Sequence, residues 1–261
     1  EQVMKHDTAL QLGGDKHTVT TMFCDIRGFT QIAERLTPTE LVMMLNQHFT
    51  AMTEIIFTYA GTLDKFIGDE IMAVFGAPTA AADDAERCVR AAMAIQAKNE
   101  DLNALRETGG QPTFEIGIGI NTGETVAGYV GSPDRMEFTV VGDSVNVARR
   151  FCSIAGPGQV VVGETTYEII KDKAEARPTG SVLLKGKSAP KHGYEILRMK
   201  SCKAVTPALS CSRRRWPRAI PYGLRVATLR SCSALSQKKS RMWSRLIPRR
   251  SMADRIAQTS S

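Results

Sequence analysis

The sequence predicts an α+β fold: a ferredoxin-like βαββαβ core followed by a C-terminal α/β extension. Three observations predict it. Two long stretches repeat apolar residues at helical spacing, Leu41 to Tyr59 and Cys88 to Leu105. Each follows β-branched or aromatic runs, Thr18–Cys24 before the first and a pair of runs flanking Gly68 before the second. Glycine-dense strands, Phe114–Ile120 and Thr125–Val130, come after. With 43% hydrophobic residues over 261 positions, the chain can bury a substantial core.

Residues 1–17 are polar, carry Gly13-Gly14 and read as a linker from an upstream region. Thr18–Cys24 is a strand with Asp25 at its C-terminal end, and Gly28 lets the chain turn into a short helix. Thr37 caps the next helix, Pro38 fits its first turn and Glu40 completes a capping box. Leu41, Met44, Leu45, Phe49, Met52, Ile55, Ile56 and Tyr59 form its core stripe, with His48 a structural or surface histidine. Gly61 is placed to end that helix in the left-handed position. Thr62, Leu63, Phe66 and Ile67 then lead into a hairpin and Ile71, Met72, Val74 and Phe75 lead out, with Gly68-Asp69-Glu70 at the tip.

Asp83 or Asp84 caps a second long helix whose buried face is Cys88, Val89, Ala92, Ile95, Leu102 and Leu105. Phe114–Ile120 is a strand, Asn121–Glu124 its turn and Thr125–Val130 the returning arm. The density of Gly117, Gly119, Gly123 and Gly128 fits close backbone approach across a subunit interface or ordinary turn and bulge chemistry, with equal weight. Phe138–Val141 is a strand, and Asp143 or Ser144 caps a helix through Ile154. Gln159–Val162, a short helix at Thr165–Ile170, Val182–Leu184 and Tyr194–Leu197 complete the sheet.

The formal charge of +7 is unevenly spread. Residues 201–261 hold 14 Lys and Arg against the single acid Asp254, so residues 1–200 carry 20 bases against 26 acids. A mildly acidic domain is a poor nucleic-acid surface, and no nucleic acid is expected as its partner. The expected organisation is a linker over 1–17, a domain over 18–199 and a basic tail over 200–261. Disorder is the default for that tail's composition, and so abrupt a break suggests non-native sequence; a membrane-surface or nucleic-acid tail is the functional alternative. The six cysteines form no CxxC pair and read as reduced thiols, which together with the lack of a signal sequence or membrane-length apolar run points to a cytoplasmic domain. Glu1 in place of Met leads us to expect an upstream regulatory domain.

Asp69, alone in its turn, is most simply a solvated residue, and a strand-end residue such as Asp25 is sometimes only a helix cap. Together they change the reading. If the first strand lies beside the hairpin, both carboxylates meet at one sheet edge, where two acids without a neutralising base suit a pair of hard divalent cations. No Ser-His-Asp or Cys-His arrangement offers a protein nucleophile.

Three stretches, FCDIRGFT (Phe23 to Thr30), KFIGDEIMAVFG (Lys65 to Gly76) and FTVVGDSVNVARR (Phe138 to Arg150), in this order and over roughly residues 15–198, resemble the catalytic domain of class III adenylyl/guanylyl cyclases. The resemblance implies the cyclase version of the fold above and two Mg²⁺ or Mn²⁺ ions held by Asp25, Asp69 and the Ile26 carbonyl. It implies that Asn146 orients the ribose, that Arg150 stabilises charge on the reacting phosphate, and that Lys185 binds the triphosphate. It implies a head-to-tail homodimer with shared sites. Arg149 stands where the family often has Ala or Ser, so it either crowds its helix or points outward.

By resemblance Lys65 and Thr139 are the base-reading pair. Lys65 is a pure donor and suits adenine N1, while the Thr139 hydroxyl can accept from N6. The expected reaction is therefore conversion of ATP to 3′,5′-cyclic AMP and pyrophosphate. The alternatives are a guanylyl cyclase or a catalytically weak nucleotide-binding regulatory module of the same fold.

Overall fold

A computed structural model describes residues 13–132, 135–182 and 191–200. By contacts the chain divides into a unit over 1–206 and another over 207–261, and all described residues lie in the first. Of the expected tail, all but Lys200 lies outside the described residues.

The elements run β1 (Gly13–Ile26), α1 (Phe29–Ala33), α2 (Pro38–Thr58), β2 (Thr62–Ile67), β3 (Glu70–Phe75), α3 (Asp84–Thr108), β4 (Ile116–Ser132), β5 (Arg135–Val141), α4 (Asp143–Ile154), β6 (Val160–Gly163), α5 (Glu164–Ile170), β7 (Ala174–Val182) and β8 (Lys191–Met199). The sheet order is β2-β3-β1-β4-β6-β8-β7, with β5 pairing the far half of β4. Its first four strands stand in the ferredoxin-like order, and the rest form the expected extension. Only β4–β6 among these pairs is parallel.

Alternation along the strands sorts the core. Met22, Cys24, Ile26, Ile71, Ala73, Phe75, Ile116, Ile118 and Ile120 face α2, α3 and α5. Val19, Phe23, Met72 and Val74 face α4, whose Val145, Ala148 and Cys152 pack against them. The Thr37–Glu40 capping box forms, with the Thr37 amide donating to Glu40 Oε2 at 2.9 Å and the Glu40 amide to Thr37 Oγ1 at 3.3 Å. Cys24, Cys88 and Cys152 are buried free thiols.

Several expectations need correction. β1 starts at Gly13, not Thr18, because β4 pairs with it over its whole length, from Gly13–Tyr129 to Ile26–Ile116. The last five residues of the expected linker are thus in the sheet. For the same reason Asn121–Glu124 is not a turn: β4 runs straight through it, and the hairpin lies between β4 and β5. The left-handed residue after α2 is Ala60 (φ 54°), not Gly61. Gly61 and Ala60 donate to Ile56 and Phe57 in a Schellman closure, and a Cβ on Gly61 would sit 2.5 Å from the Phe75 ring. The N-cap of α4 is Gly142 rather than Asp143 or Ser144. Leu105 is exposed, and α3 instead buries a polar row, Gln96, Asn99, Asn103 and Arg106. That row serves backbone: Gln96 donates to the carbonyls of Ile116 and Gln159, and Asn99 and Asn103 to that of Phe114. Of the strand expected at Val182–Leu184, Val182 ends β7, which begins at Ala174, and the other two residues lie outside the described residues; Pro178 of β7 is tolerated at the sheet edge.

Two glycines of β4, Gly117 and Gly119, approach backbone within the chain, and Gly123 approaches the Ser144 side chain. Gly117, Gly119 and Gly123 alternate with the core isoleucines and face α4. A Cβ on Gly119 would lie 1.9 Å from the Cys152 nitrogen and 2.5 Å from the Ala148 carbonyl oxygen. Backbone on both sides leaves no rotamer to absorb the overlap. Gly119→Ala is therefore expected to cost about 3 kcal/mol or more in denaturant unfolding, with Ala127→Gly on the same strand as a mild reference.

His48 is 1% exposed, and neither ring nitrogen has a hydrogen-bond partner among the described residues. Burial, and then the charge of Arg106, holds its pKa down from 6.5 to about 4. The unfolded chain takes up the proton first as the pH falls. The stability due to neutral His48 is thus fully present above pH 6.5 and drains away towards pH 4. Thermal unfolding midpoints should fall more steeply across that window in the native chain than in His48→Leu.

Candidate active site

Asp25 ends β1 on the sheet face that carries α4, opposite Gly117 of β4. Asp69 sits in the two-residue turn between β2 and β3, reached through Gly68 at φ 65°. Because β3 pairs with β1, with Ile71 opposite Cys24, the turn stands beside the end of β1. The two carboxyls meet there. Burial, and next the charge of Asp25, raises the Asp69 pKa to about 6, while the Ile26 backbone amide pulls it the other way.

One further acid and two arginines surround the pair. Arg27 Nη1 donates to Asp25 Oδ2 at 3.1 Å, and its Nη2 donates to the Cys152 carbonyl of α4 at 2.7 Å. Glu70, the first residue of β3, is 7% exposed. Arg149 Nη2 of α4 lies 2.9 Å from Glu70 Oε2 as an ion pair, at an angle that gives Oε2 no hydrogen bond. Burial raises the Glu70 pKa, and Arg149 opposes that rise. Arg149 thus neither crowds α4 nor points away into solvent: it reaches over to the hairpin.

A second cluster joins β2 to β5. Lys65 Nζ lies 3.4 Å from Glu137 Oε2 and 3.6 Å from Asp64 Oδ2. Thr139 Oγ1 donates to that same Asp64 oxygen at 3.0 Å. The structure therefore brings Lys65 and Thr139 together, as it does Asp25, Ile26 and Asp69. Asn146 and Arg150 form no side-chain hydrogen bond or ion pair among the described residues; Asn146 is exposed and Arg150 half-exposed on the outer side of α4. Lys185 lies outside the described residues.

Sequence reasoning missed Asp64, Glu70, Arg27 and Glu137 as members of these clusters. For Glu70 a signal existed, since it alternates with the apolar Met72 and Val74 and so faces α4. For Asp64 there was none, because a register shift between Leu63 and Lys65 decides where it points.

Among the described residues no three His, Cys, Asp or Glu side chains converge into a closed metal cage. Two neighbouring carboxylates, one with its pKa raised by burial and then by the charge of the other, suit a hard cation that takes its remaining ligands from water or phosphate. The residues present fit such an ion.

The profile of the adenylate and guanylate cyclase catalytic domain family matches residues 14–198. The chain is 35% identical over 201 residues to adenylate cyclase 1 of Rhizobium meliloti, covering 74% of this chain and 29% of that one. It spans about three tenths of the length of the first curated relatives it matches. Among solved structures it resembles the adenylyl cyclase CyaB of P. aeruginosa (34% identity, TM-score 0.70, 72% of this chain and 98% of that one). It also resembles the guanylyl cyclase Cya2 (36%, TM-score 0.71, 74% and 98%).

Removing Arg149 would leave Glu70 buried beside Asp25 and Asp69 without its counter-charge. With Arg149 half-exposed, Arg149→Ala should cost roughly 1–2 kcal/mol. Adding Glu70→Gln should recover most of that loss, as read by denaturant unfolding.

Proposed function

The chain belongs to the adenylate and guanylate cyclase catalytic domain family, and we propose from that premise that it is an adenylyl cyclase. The ribose 3′-hydroxyl attacks the α-phosphate of ATP. The new O3′–P bond closes the 3′,5′ ring, the bond to the β-phosphate breaks, and pyrophosphate leaves with the electron pair while the hydroxyl proton passes to solvent. The carboxylate pair Asp25 and Asp69, at one sheet edge and without a protein nucleophile, is the observation that carries this reading.

The family is divalent-cation dependent, and Asp25, Asp69 and the Ile26 carbonyl are the residues that would hold two Mg²⁺ or Mn²⁺ ions. Bound there, the ions neutralise phosphate charge and acidify the attacking hydroxyl. The chain's own residues do the rest. Lys65 donates to adenine N1 and Thr139 accepts from N6. Asn146 orients the ribose, so that nucleophile and phosphate meet within one molecule. Arg150 offers a fixed guanidinium to the charge that develops on the phosphate. Lys185 is assigned to the triphosphate.

Cyclase domains of this family act as dimers. Asn146 and Arg150 lie on the outer side of α4 and touch neither carboxylate cluster of their own chain. That placement supports a head-to-tail homodimer in which each site takes its carboxylates from one subunit and Asn146 and Arg150 from the other. Asp25→Ala and Arg150→Ala chains should each be nearly inactive. Mixed, they should recover roughly a quarter of the native rate, since half the dimers are mixed and each keeps one intact site. Demonstrated mixed dimers without recovery would rule out shared sites.

The likeness to a guanylyl cyclase favours one second reading, GTP as substrate. Incubating the chain with Mn²⁺ and either ATP or GTP separates them. Cyclic AMP is the expected product, falling at least about a hundredfold in Asp69→Ala. Cyclic GMP as the main product would keep the chemistry and overturn the roles of Lys65 and Thr139.

A further inference from the structure

We infer that Asp64 is a specificity-positioning residue: its buried carboxylate accepts the hydrogen bond of the Thr139 hydroxyl and draws in Lys65, so fixing which atoms the two base-reading side chains present to the purine. This rests on the proposed reading of Lys65 and Thr139 as the base contacts.

The problem it solves is chemical. A lysine ammonium can only donate, but a threonine hydroxyl donates or accepts according to where its one proton points. A free Thr139 could therefore accept from the adenine N6 amino group or donate to guanine O6. Alone, it would discriminate poorly. In the structure its hydroxyl donates to Asp64 Oδ2 at 3.0 Å. An ionised carboxylate has no proton to give back, so the direction of that bond is fixed. The remaining lone pairs of Thr139 Oγ1 can then only accept, which suits adenine and opposes guanine.

The same oxygen faces Lys65 Nζ at 3.6 Å. One carboxylate thus sets a donor and an acceptor side by side, the complement of adenine N1 and N6. The Asp64 side chain is 4% exposed and Thr139 is 8% exposed, so water competes little for these contacts. Glu137 also pairs with Lys65, but its side chain is half in solvent.

Local backbone geometry makes the arrangement possible. In a regular strand, neighbours such as Asp64 and Lys65 point to opposite faces. Here Leu63 pairs with Ala73 and Lys65 with Met72, which leaves Asp64 as an extra residue in a β-bulge. Bulges re-aim side chains. This one lets consecutive residues of β2 both reach β5, Asp64 at Thr139 and Lys65 at Glu137.

The test compares kcat/KM for ATP, GTP and the ATP analogue whose purine lacks the 6-amino group, in the native chain, Asp64→Asn and Thr139→Val. The native chain should prefer ATP over both others. Asp64→Asn, whose amide can donate to Thr139 and turn the hydroxyl round, should lose about tenfold of that preference, the scale of one hydrogen bond to a charged group. Thr139→Val should lose it comparably, and the double variant should lose little more than either. A purely structural role for Asp64 would lower all three substrates alike and leave the ratios in place, which would overturn the inference. So would full ATP preference in Thr139→Val, an outcome that stands even if Asp64→Asn fails to fold. A native chain with no preference for ATP would instead overturn the base-reading roles themselves, and the inference with them.

Discussion

Helix α4 lies with its backbone directly on β4, and most of what the chain can do chemically depends on that contact. The strand spends its two faces differently. Ile116, Ile118 and Ile120 fill the core on one side, and Gly117 and Gly119 leave the other bare enough for the Cys152 amide to stand where a Cβ would be. So close an approach fixes the helix in depth and along its axis, because any slide would drive a side chain into the strand. The Arg27 guanidinium adds a second tie from the end of β1 to the Cys152 carbonyl. The inner face of α4 is thereby committed to packing, and Asn146, Arg149 and Arg150 fall on the remaining arc.

The electrostatics follow from that placement. Asp25, Asp69 and Glu70 gather where β1 and the hairpin end, an arrangement that costs free energy in the absence of cations. Arg27 and Arg149 offset part of the cost, one on Asp25 and the other on Glu70. Arg149 stands on α4, and Arg27, just past the end of β1, is tied to the Cys152 carbonyl of that helix, so the helix held by the glycine contact carries one counter-charge and helps position the other. Among the described residues Asp69 has no such partner, and burial together with the charge of Asp25 raises its pKa to about 6. The carboxyl left without an arginine is the one at the turn tip, where an incoming cation has most to gain.

What was legible in the sequence was local. The capping box at Thr37, the Gly68 turn and the end of the first strand each depend on a few neighbouring residues; the first two formed as read, and the strand runs one residue past Asp25, to Ile26. The misreadings came where a partner distant in sequence decides. Asn121–Glu124 has the composition of a turn, but fourteen consecutive pairings with β1 hold it extended, with the Thr122 and Thr20 hydroxyls bonded across the pair at 2.9 Å. Arg106 is buried where Leu105 was expected, because Phe114 presents a ring that the Arg106 guanidinium covers at 4.2 Å. The carboxylate pair was legible because strand end and turn tip announce themselves. Asp64 was not, because a bulge has no residue signature and reverses the face that alternation assigns.

The Glu70–Arg149 pair joins two parts of the site that face different ways. Glu70 follows Asp69 in the chain, and Arg149 precedes Arg150. One ion pair therefore spans from the carboxylate cluster at the sheet edge to the helix whose outer side presents Asn146 and Arg150. If those two halves serve different active sites of a dimer, as proposed, the pair is a rigid strut between the sites rather than a member of either. A strut of this kind resists independent motion of hairpin and helix, since parting them would leave a buried carboxylate without its cation.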